Sequence, residues 1–138
     1  MSTRFEAILE IETMFRLIQR SMRKELREVW GETLTGAEFV LLHHLDLRGP
    51  QMITALAQEF EVSVSHITHV VDQLEREQYV ARQRSQLDKR VVEVHITEKG
   101  QEKSSWMSEK RKEYLLQKFD PFTLEDLSVL QDLYKKLL

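Results

Sequence analysis

The chain has 138 residues, of which 41% are hydrophobic and 31% charged, and its formal net charge is −3. This length is typical of one domain, and the apolar fraction is ordinary for a globular protein rather than a disordered one. The longest apolar run is Phe39 to Leu42, far short of the ~18–20 apolar residues that a membrane span requires. The first residues include no apolar segment of the secretory type.

The sequence contains no cysteine, which excludes disulfides, thiolate zinc sites and cysteine nucleophiles. It also lacks a glycine-rich phosphate loop, a nucleophile elbow and the His-Glu-x-x-His motif of metalloproteases. We therefore expect a protein that is not an enzyme, that needs no cofactor, and that works in a reducing cytoplasm without a membrane.

A long amphipathic helix is predicted over residues 5–30. Apolar side chains recur there every seven positions, at Ile8, Phe15, Met22 and Val29. A helix of this length spans roughly 39 Å, which is more than a small domain covers by itself. The apolar seam favours pairing with a second chain, while packing wholly within one chain remains the alternative.

The next segment predicts a helix-turn-helix. Thr35 and Glu38 form a capping-box pattern that begins a helix, and Gly49-Pro50 ends it near Arg48. Two short helices follow around a tight turn, and Ser63 caps the second of them. Apolar residues at helical spacing give this second helix one buried stripe: Ile67, Val70, Val71 and Leu74.

A β-hairpin follows the helix-turn-helix directly. Alternating apolar and polar residues predict strands over 79–84 and 91–97, joined by the polar loop 85–90. Thr97 then caps a helix that reaches about Phe119, Pro121 breaks it, and Thr123 caps a last helix with a leucine-rich stripe.

Charge is unevenly distributed, and a basic island covers residues 76–90. It holds five basic side chains against two acidic ones in a chain that is acidic overall. Local charge of this kind attracts a polyanion at short range, although an ordinary solvated loop would have the same composition.

The exposed face of the second short helix predicts contact with DNA bases. Short hydrogen-bonding side chains, rather than Lys and Glu, lie opposite the buried stripe or at the helix start, as base-edge recognition requires. The candidates are Ser63, Ser65, His66, Thr68, His69 and Gln73.

The hairpin adds a second set of candidates. Four cations flank its loop, as a wing in a narrow minor groove requires: Arg82, Arg84, Lys89 and Arg90. Asp88 lies two residues before Arg90 and can hold its guanidinium in one rotamer, although a simple surface ion pair would look the same in sequence.

Several motifs resemble the MarR family of bacterial transcriptional regulators. They are Leu34-Thr-Gly-Ala-Glu-Phe39, the segment Val62 to Glu75, and above all Asp88-Lys-Arg90 followed by Ile96-Thr-Glu-Lys-Gly100. The resemblance covers nearly the whole chain. It implies a homodimer that binds a pseudo-palindromic operator, with double-stranded DNA as partner, and many members are released from DNA by a small ligand in a crevice between the dimerisation and DNA-binding parts.

The expected fold is mainly α with a small β-hairpin, in a single domain over residues 1–138. A winged helix-turn-helix DNA-binding lobe covers 34–100, and helices 5–30 and 101–138 from both termini form the dimerisation region. Four positions depart from the family pattern. Gly36 replaces a common Pro, and Glu61 and Gln78 replace glycines, where a positive φ would strain them. His69 stands where many members of the family have Arg, so the base preference of those members is not transferred to this chain.

The sequence thus predicts a sequence-specific DNA-binding repressor. One alternative is a winged-helix module that binds proteins and not DNA. Another is a metal-responsive repressor of the same fold, because His66 and His69 lie three residues apart on one face and His43 and His44 are adjacent on another helix. Since neither pair has an acidic ligand at a suitable spacing, we expect no metal site.

Overall fold

A computed structural model describes residues 3–31 and 34–138 of the chain. These residues form six helices and one β-hairpin. The elements, in chain order, are α1 (Arg4–Trp30), α2 (Gly36–Arg48), α3 (Ile53–Glu59), α4 (Val64–Arg76), β1 (Val80–Arg84), β2 (Val92–Ile96), α5 (Glu98–Lys118) and α6 (Leu124–Lys135). This is the mainly helical winged-helix arrangement that the sequence predicts, with strand ends within one residue of the expected ones.

Hydroxyl caps begin most of the helices. Ser63, Thr97 and Thr123 each accept a hydrogen bond from the amide three residues ahead, as predicted. Thr35 likewise accepts from the Glu38 amide at 3.3 Å. Burial raises the pKa of the Glu38 carboxyl, and hydrogen bonding to Thr35 partly opposes that rise. At α2 only this Thr35 half of the predicted capping box meets hydrogen-bond geometry, whereas Thr3 and Glu6 form a complete capping box that begins α1 one residue before the expected start.

The hydrophobic core lies between α2, α4, the hairpin and the middle of α5. Leu42, Leu45, Leu74 and Met107 are completely buried there, and the predicted α4 stripe faces inward as a whole. Trp30 joins the end of α1 to this core, because its indole Nε1 donates to the Met107 carbonyl at 3.0 Å. The core therefore fixes the orientation of α4 and leaves its other face free.

The two strands pair antiparallel, with Val80 opposite Ile96 and Arg84 opposite Val92. Gln51 adds a short third strand, since it exchanges both backbone hydrogen bonds with Val94, at 3.2 and 2.7 Å. The sequence reading did not predict this contact, because a single bridging residue leaves no periodic pattern.

The predicted Thr-x-x-Gly motif connects α5 to the base of the hairpin. The Thr97 hydroxyl accepts from the Gly100 amide at 3.0 Å and donates to the Gln78 carbonyl at 2.7 Å. A Cβ on Gly100 would lie 2.1 Å from the Tyr79 carbonyl oxygen. Only glycine therefore lets α5 approach the hairpin this closely.

Among the residues that the structure describes, two non-glycine residues have a left-handed backbone, and the sequence predicts both. Glu61 (φ 54°) follows α3 and Gln78 (φ 65°) follows α4. These are the two positions at which the chain departs from a family glycine. The helix ends adopt the geometry that glycine usually supplies, so both residues are strained.

The terminal helices leave most of their apolar surface uncovered. Trp30 is the one buried residue described in α1, and none of the residues described in α6 is buried. Glu25 of α1 accepts hydrogen bonds from Tyr114 and from Lys118 of α5, which holds the two helices together. Across the described residues, no helix is long and apolar enough to cross a membrane.

Candidate nucleic-acid interface

The outer face of α4 presents the predicted polar side chains. Ser65, His66 and His69 are exposed, and Thr68 and Gln73 are half-buried. Ser63 uses its hydroxyl to cap the helix, accepting from the His66 amide at 3.0 Å. The Gln73 side-chain amide lies 3.3 Å from His69 Nε2, so these two side chains form one hydrogen-bonded pair. This face of α4 thus presents exposed or half-buried side chains that can donate and accept hydrogen bonds.

Asp88 orients Arg90 at the tip of the hairpin. Its Oδ1 accepts from the Arg90 amide at 3.0 Å and from Nε at 3.1 Å, and its Oδ2 accepts from Nη2 at 3.1 Å. These bonds to Arg90 lower the pKa of the Asp88 carboxyl. The Arg90 side chain is nevertheless 89% exposed. Fixed geometry and full accessibility together reduce the entropy that this guanidinium would lose on binding a groove.

The other loop cations have different surroundings. Arg84 is exposed, and its Nη1 donates to the Lys89 carbonyl at 2.8 Å, which ties β1 to the far side of the loop. Lys89 itself is exposed. Both remain available to a polyanion, although Arg84 already uses one of its donors to hold the loop.

Arg82 points back toward α4. Its Nη2 lies 2.6 Å from Asp72 and its Nη1 lies 2.7 Å from Glu75, and its backbone amide donates to Glu75 at 3.0 Å. Burial alone would lower the pKa of Arg82, but the bonds and charges of Asp72 and Glu75 outweigh burial and raise it. The contacts observed therefore join the hairpin to α4, and contact of Arg82 with DNA stays a prediction.

A cleft of about 790 Å³ lies between α1, α2 and α5. Trp30, Phe39 and Phe60 line its apolar part. Its polar lining includes four arginines and two histidines and, among the described residues, no carboxylate: Arg23, Arg27, Arg48, Arg111, His43 and His44. The family resemblance implies a crevice between the dimerisation and DNA-binding parts, but the sequence identified none of the residues that line it, since the charged residues of the cleft come from three separate helices.

The histidines have aromatic neighbours in the cleft. His43 stacks on Phe39 with ring centroids 5.4 Å apart, and His44 meets the edge of Phe60 at 5.1 Å. Within residues 3–31 and 34–138, no three His, Cys, Asp or Glu side chains are grouped so that they could hold a metal ion.

Known proteins with similar sequences and similar folds point to the same class of protein as the helix-turn-helix and hairpin described above. The MarR family model matches residues 34–92. An uncharacterized HTH-type transcriptional regulator of Bacillus subtilis, YpoP, is 36% identical over 137 residues, which is 99% of this chain and 97% of that protein. A MarR family protein of Bacillus stearothermophilus is 28% identical, with a TM-score of 0.79 over 99% of this chain and 96% of its own.

A mutant MarR of E. coli, solved in complex with operator DNA, has a TM-score of 0.81 and covers 99% of both chains at 21% identity, a likeness of fold. The fold and the exposed α4 face define a winged helix-turn-helix transcriptional regulator, not an enzyme. The chain belongs to the MarR family of such regulators.

Proposed function

We propose that this regulator is a repressor that binds a pseudo-palindromic operator as a homodimer. The observation that carries the proposal is the Asp88–Arg90 pair, in which Asp88 orients an exposed guanidinium at the tip of the hairpin. The same hairpin contacts α4 through the ion pair of Arg82 with Asp72, and the outer face of α4 is polar and exposed. A helix in the major groove with a basic wing in the adjacent minor groove accounts for both surfaces.

The base contacts are assigned to the outer face of α4. Base edges are recognised by short donors and acceptors, and the positive end of the helix dipole favours the nearby phosphates. Ser65, Thr68 and His69 lie in the first two turns, with Ser63 and His66 at the cap and Gln73 behind them. Arg84, Lys89 and Arg90 supply charge from the wing, and Arg82 is assigned to hold the wing against α4.

The dimer is supported by the uncovered apolar surface of α1 and α6. A monomer of 16.4 kDa is expected to expose about 7,500 Å². This chain exposes 10761 Å². The excess of about 3,200 Å² is larger than the roughly 1,000–2,500 Å² that each subunit of an obligate homodimer usually buries, so it is ample for such an interface. Residues 5–30 and 101–138 are therefore assigned to the dimer interface, and residues 34–100 to the DNA-binding lobe.

Release by a small ligand is assigned to the cleft between α1, α2 and α5. Arginines and aromatic rings surround a volume suited to a small molecule, and no described residue of the lining is acidic. These features favour a ligand with an apolar body and an acidic group. Because α1 and α2 belong to different parts of the molecule, a bound ligand would shift the lobes relative to the dimer helices.

A genomic selection tests the proposal. Fragments of the source genome are bound to the purified protein at moderate salt, and the recovered sequences are aligned. We expect pseudo-palindromes whose half-sites lie about 10 base pairs apart, centre to centre. Inserting five base pairs between the half-sites should abolish tight binding, since one lobe would then face the wrong side of the duplex. Unchanged affinity for that probe would contradict the geometry.

The release step has its own measurement. Aromatic and aliphatic carboxylates are screened for those that displace the operator, and Arg111→Met is compared with wild type. A ligand that acts through the cleft should lose potency with this variant, while operator affinity without ligand is retained. If wild type selects no fragment at all, the protein-binding alternative is favoured instead.

A further inference from the structure

Leu87 is fully exposed at the tip of the hairpin loop, with 100% of its surface accessible. The loop backbone is nevertheless fixed. The amides of Leu87 and Asp88 both donate to the Ser85 hydroxyl, at 3.2 and 3.4 Å, and the Ser85 amide donates to the Val91 carbonyl at 2.8 Å. These bonds hold the loop backbone, while the leucine side chain itself lies in solvent.

The surroundings of Leu87 identify the kind of partner that it meets. Arg84, Lys89 and Arg90 belong to the same loop region, and Arg90 is held by Asp88 directly beyond Leu87 in the chain. A tip with three cations docks on a polyanion. The apolar surface that a DNA duplex offers to such a tip is the deoxyribose lining of the minor groove, into which other proteins insert apolar side chains.

We propose that Leu87 is a specificity-determining residue that enters the minor groove beside Arg90 and selects A·T pairs. This inference rests on the proposed DNA binding. The floor of the minor groove is smooth at A·T pairs, whereas the 2-amino group of guanine protrudes from it at G·C pairs. A leucine side chain makes van der Waals contact with the smooth floor, and it would desolvate the amino group without offering it a hydrogen bond.

Three operators test the proposal: one with A·T, one with G·C and one with inosine·C at the base pairs under the wing, which a footprint locates. Inosine differs from guanine only in lacking the 2-amino group. We expect wild type to bind the A·T and inosine·C operators alike and the G·C operator about tenfold more weakly, as burial of part of a leucine side chain allows.

Three variants provide the comparison. Leu87→Ala should lose most of the discrimination while its salt dependence stays as in wild type, because no charge is removed. Leu87→Met keeps an apolar side chain of similar volume and should keep the discrimination. Gln86→Ala, the neighbouring exposed loop residue, should behave as wild type, which separates loss of Leu87 from a general disturbance of the loop.

Two results would overturn the proposal: equal A·T preference in Leu87→Ala and wild type, or an inosine·C operator that binds as weakly as the G·C operator. Failure of wild type to bind any operator would overturn the proposed function and this inference with it. Wild-type binding with unchanged discrimination in Leu87→Ala overturns the inference alone.

Discussion

Arg90 and His69 are expected to make two different kinds of DNA contact, from two different elements. Arg90 is a cation held by Asp88 at the loop tip, while His69 is paired with Gln73 on the exposed face of α4. A cation that contacts phosphates strengthens binding to every DNA sequence, whereas hydrogen bonds to base edges strengthen binding only to the correct sequence. The two residues should therefore be separable by experiment.

Replacing Arg90 with Ala should weaken binding to operator and to random DNA together, by about tenfold at low salt, and reduce the salt slope by about one. Replacing His69 with Ala should weaken operator binding by about 1–3 kcal/mol and leave binding to random DNA nearly unchanged. Titrations against operator and scrambled duplex at two salt concentrations measure both. A silent Arg90→Ala on both duplexes would mean that the wing does not contact DNA.

The left-handed backbone of Gln78 affects the stability of the fold. It lowers the free energy of unfolding by about 1–2 kcal/mol for any residue with a Cβ. Glycine avoids that cost and loses about 0.5–1 kcal/mol in chain entropy. We expect Gln78→Gly to raise the free energy of unfolding by about 0.5–1 kcal/mol, measured by urea denaturation at a fixed chain concentration.

The matched control is Gln58→Gly, an exposed glutamine inside α3 with an ordinary helical backbone. It should lower the free energy of unfolding by about 1 kcal/mol. If both variants are destabilised equally, the backbone at Gln78 is not strained.

At the scale of elements, α1 and α5 are joined by an ionic cluster around Glu25. Hydrogen bonds from Tyr114 and then Lys118 lower the pKa of Glu25 below its ordinary value of 4.5. Burial, together with the bond to Glu25, raises the pKa of Tyr114 to about 12. The phenol therefore stays protonated and donates throughout the physiological range, and the pH dependence of this link comes from Glu25.

The sign of that dependence follows from the lowered pKa. The ionised Glu25 stabilises the fold above pH 4.5, and its contribution is lost as pH falls through the lower pKa of the folded state. Glu25→Gln should thus lower the urea midpoint at pH 7, and the difference from wild type should shrink as the pH falls below 4.5. Glu28→Gln, an exposed position on the same helix, is the control and should leave the midpoint unchanged at both pH values.

At the scale of the whole molecule, α6 and most of α1 expose apolar side chains that nothing in a single chain covers. Removing residues 121–138 deletes α6 and uncovers Phe15, whose ring meets Tyr134 at 6.4 Å. We expect the truncated chain to aggregate or to unfold at lower urea concentration. Sedimentation and operator binding measure this, and a well-folded monomer with full affinity for a palindrome would refute the assignment of the interface.

Local signals in the sequence account for much of this molecule. Thr97 and Thr123 cap helices where their spacing predicts, and the missing glycines at Glu61 and Gln78 foretell the two strained backbones. Contacts between distant segments had no such signal. The pairing of Arg82 with Asp72 and Glu75 depends on how the hairpin folds against α4, so a cation that the sequence assigns to DNA is engaged with carboxylates.

The residues that line the cleft could not be identified from the sequence for the same reason. Arg23 and Arg111 come together only when α1 packs on α5, and nothing in their local sequence distinguishes them from ordinary surface arginines. The spacing of Arg23 and Arg27, one helical turn apart and just before Trp30, is the one local feature that could have suggested a basic apolar site there.

The position of Trp30 also makes the molecule its own optical reporter. The chain has two tryptophans: Trp30 is 5% exposed and lines the cleft, and Trp106 is 40% exposed with Lys103 over its ring. Fluorescence from Trp106 reports on solvent, whereas emission from Trp30 depends on what touches its indole and on its hydrogen bond to Met107. A Trp106→Phe protein would carry a single tryptophan, at the cleft wall, so that quenching or a wavelength shift of its emission on titration would report occupancy of the cleft without any DNA present.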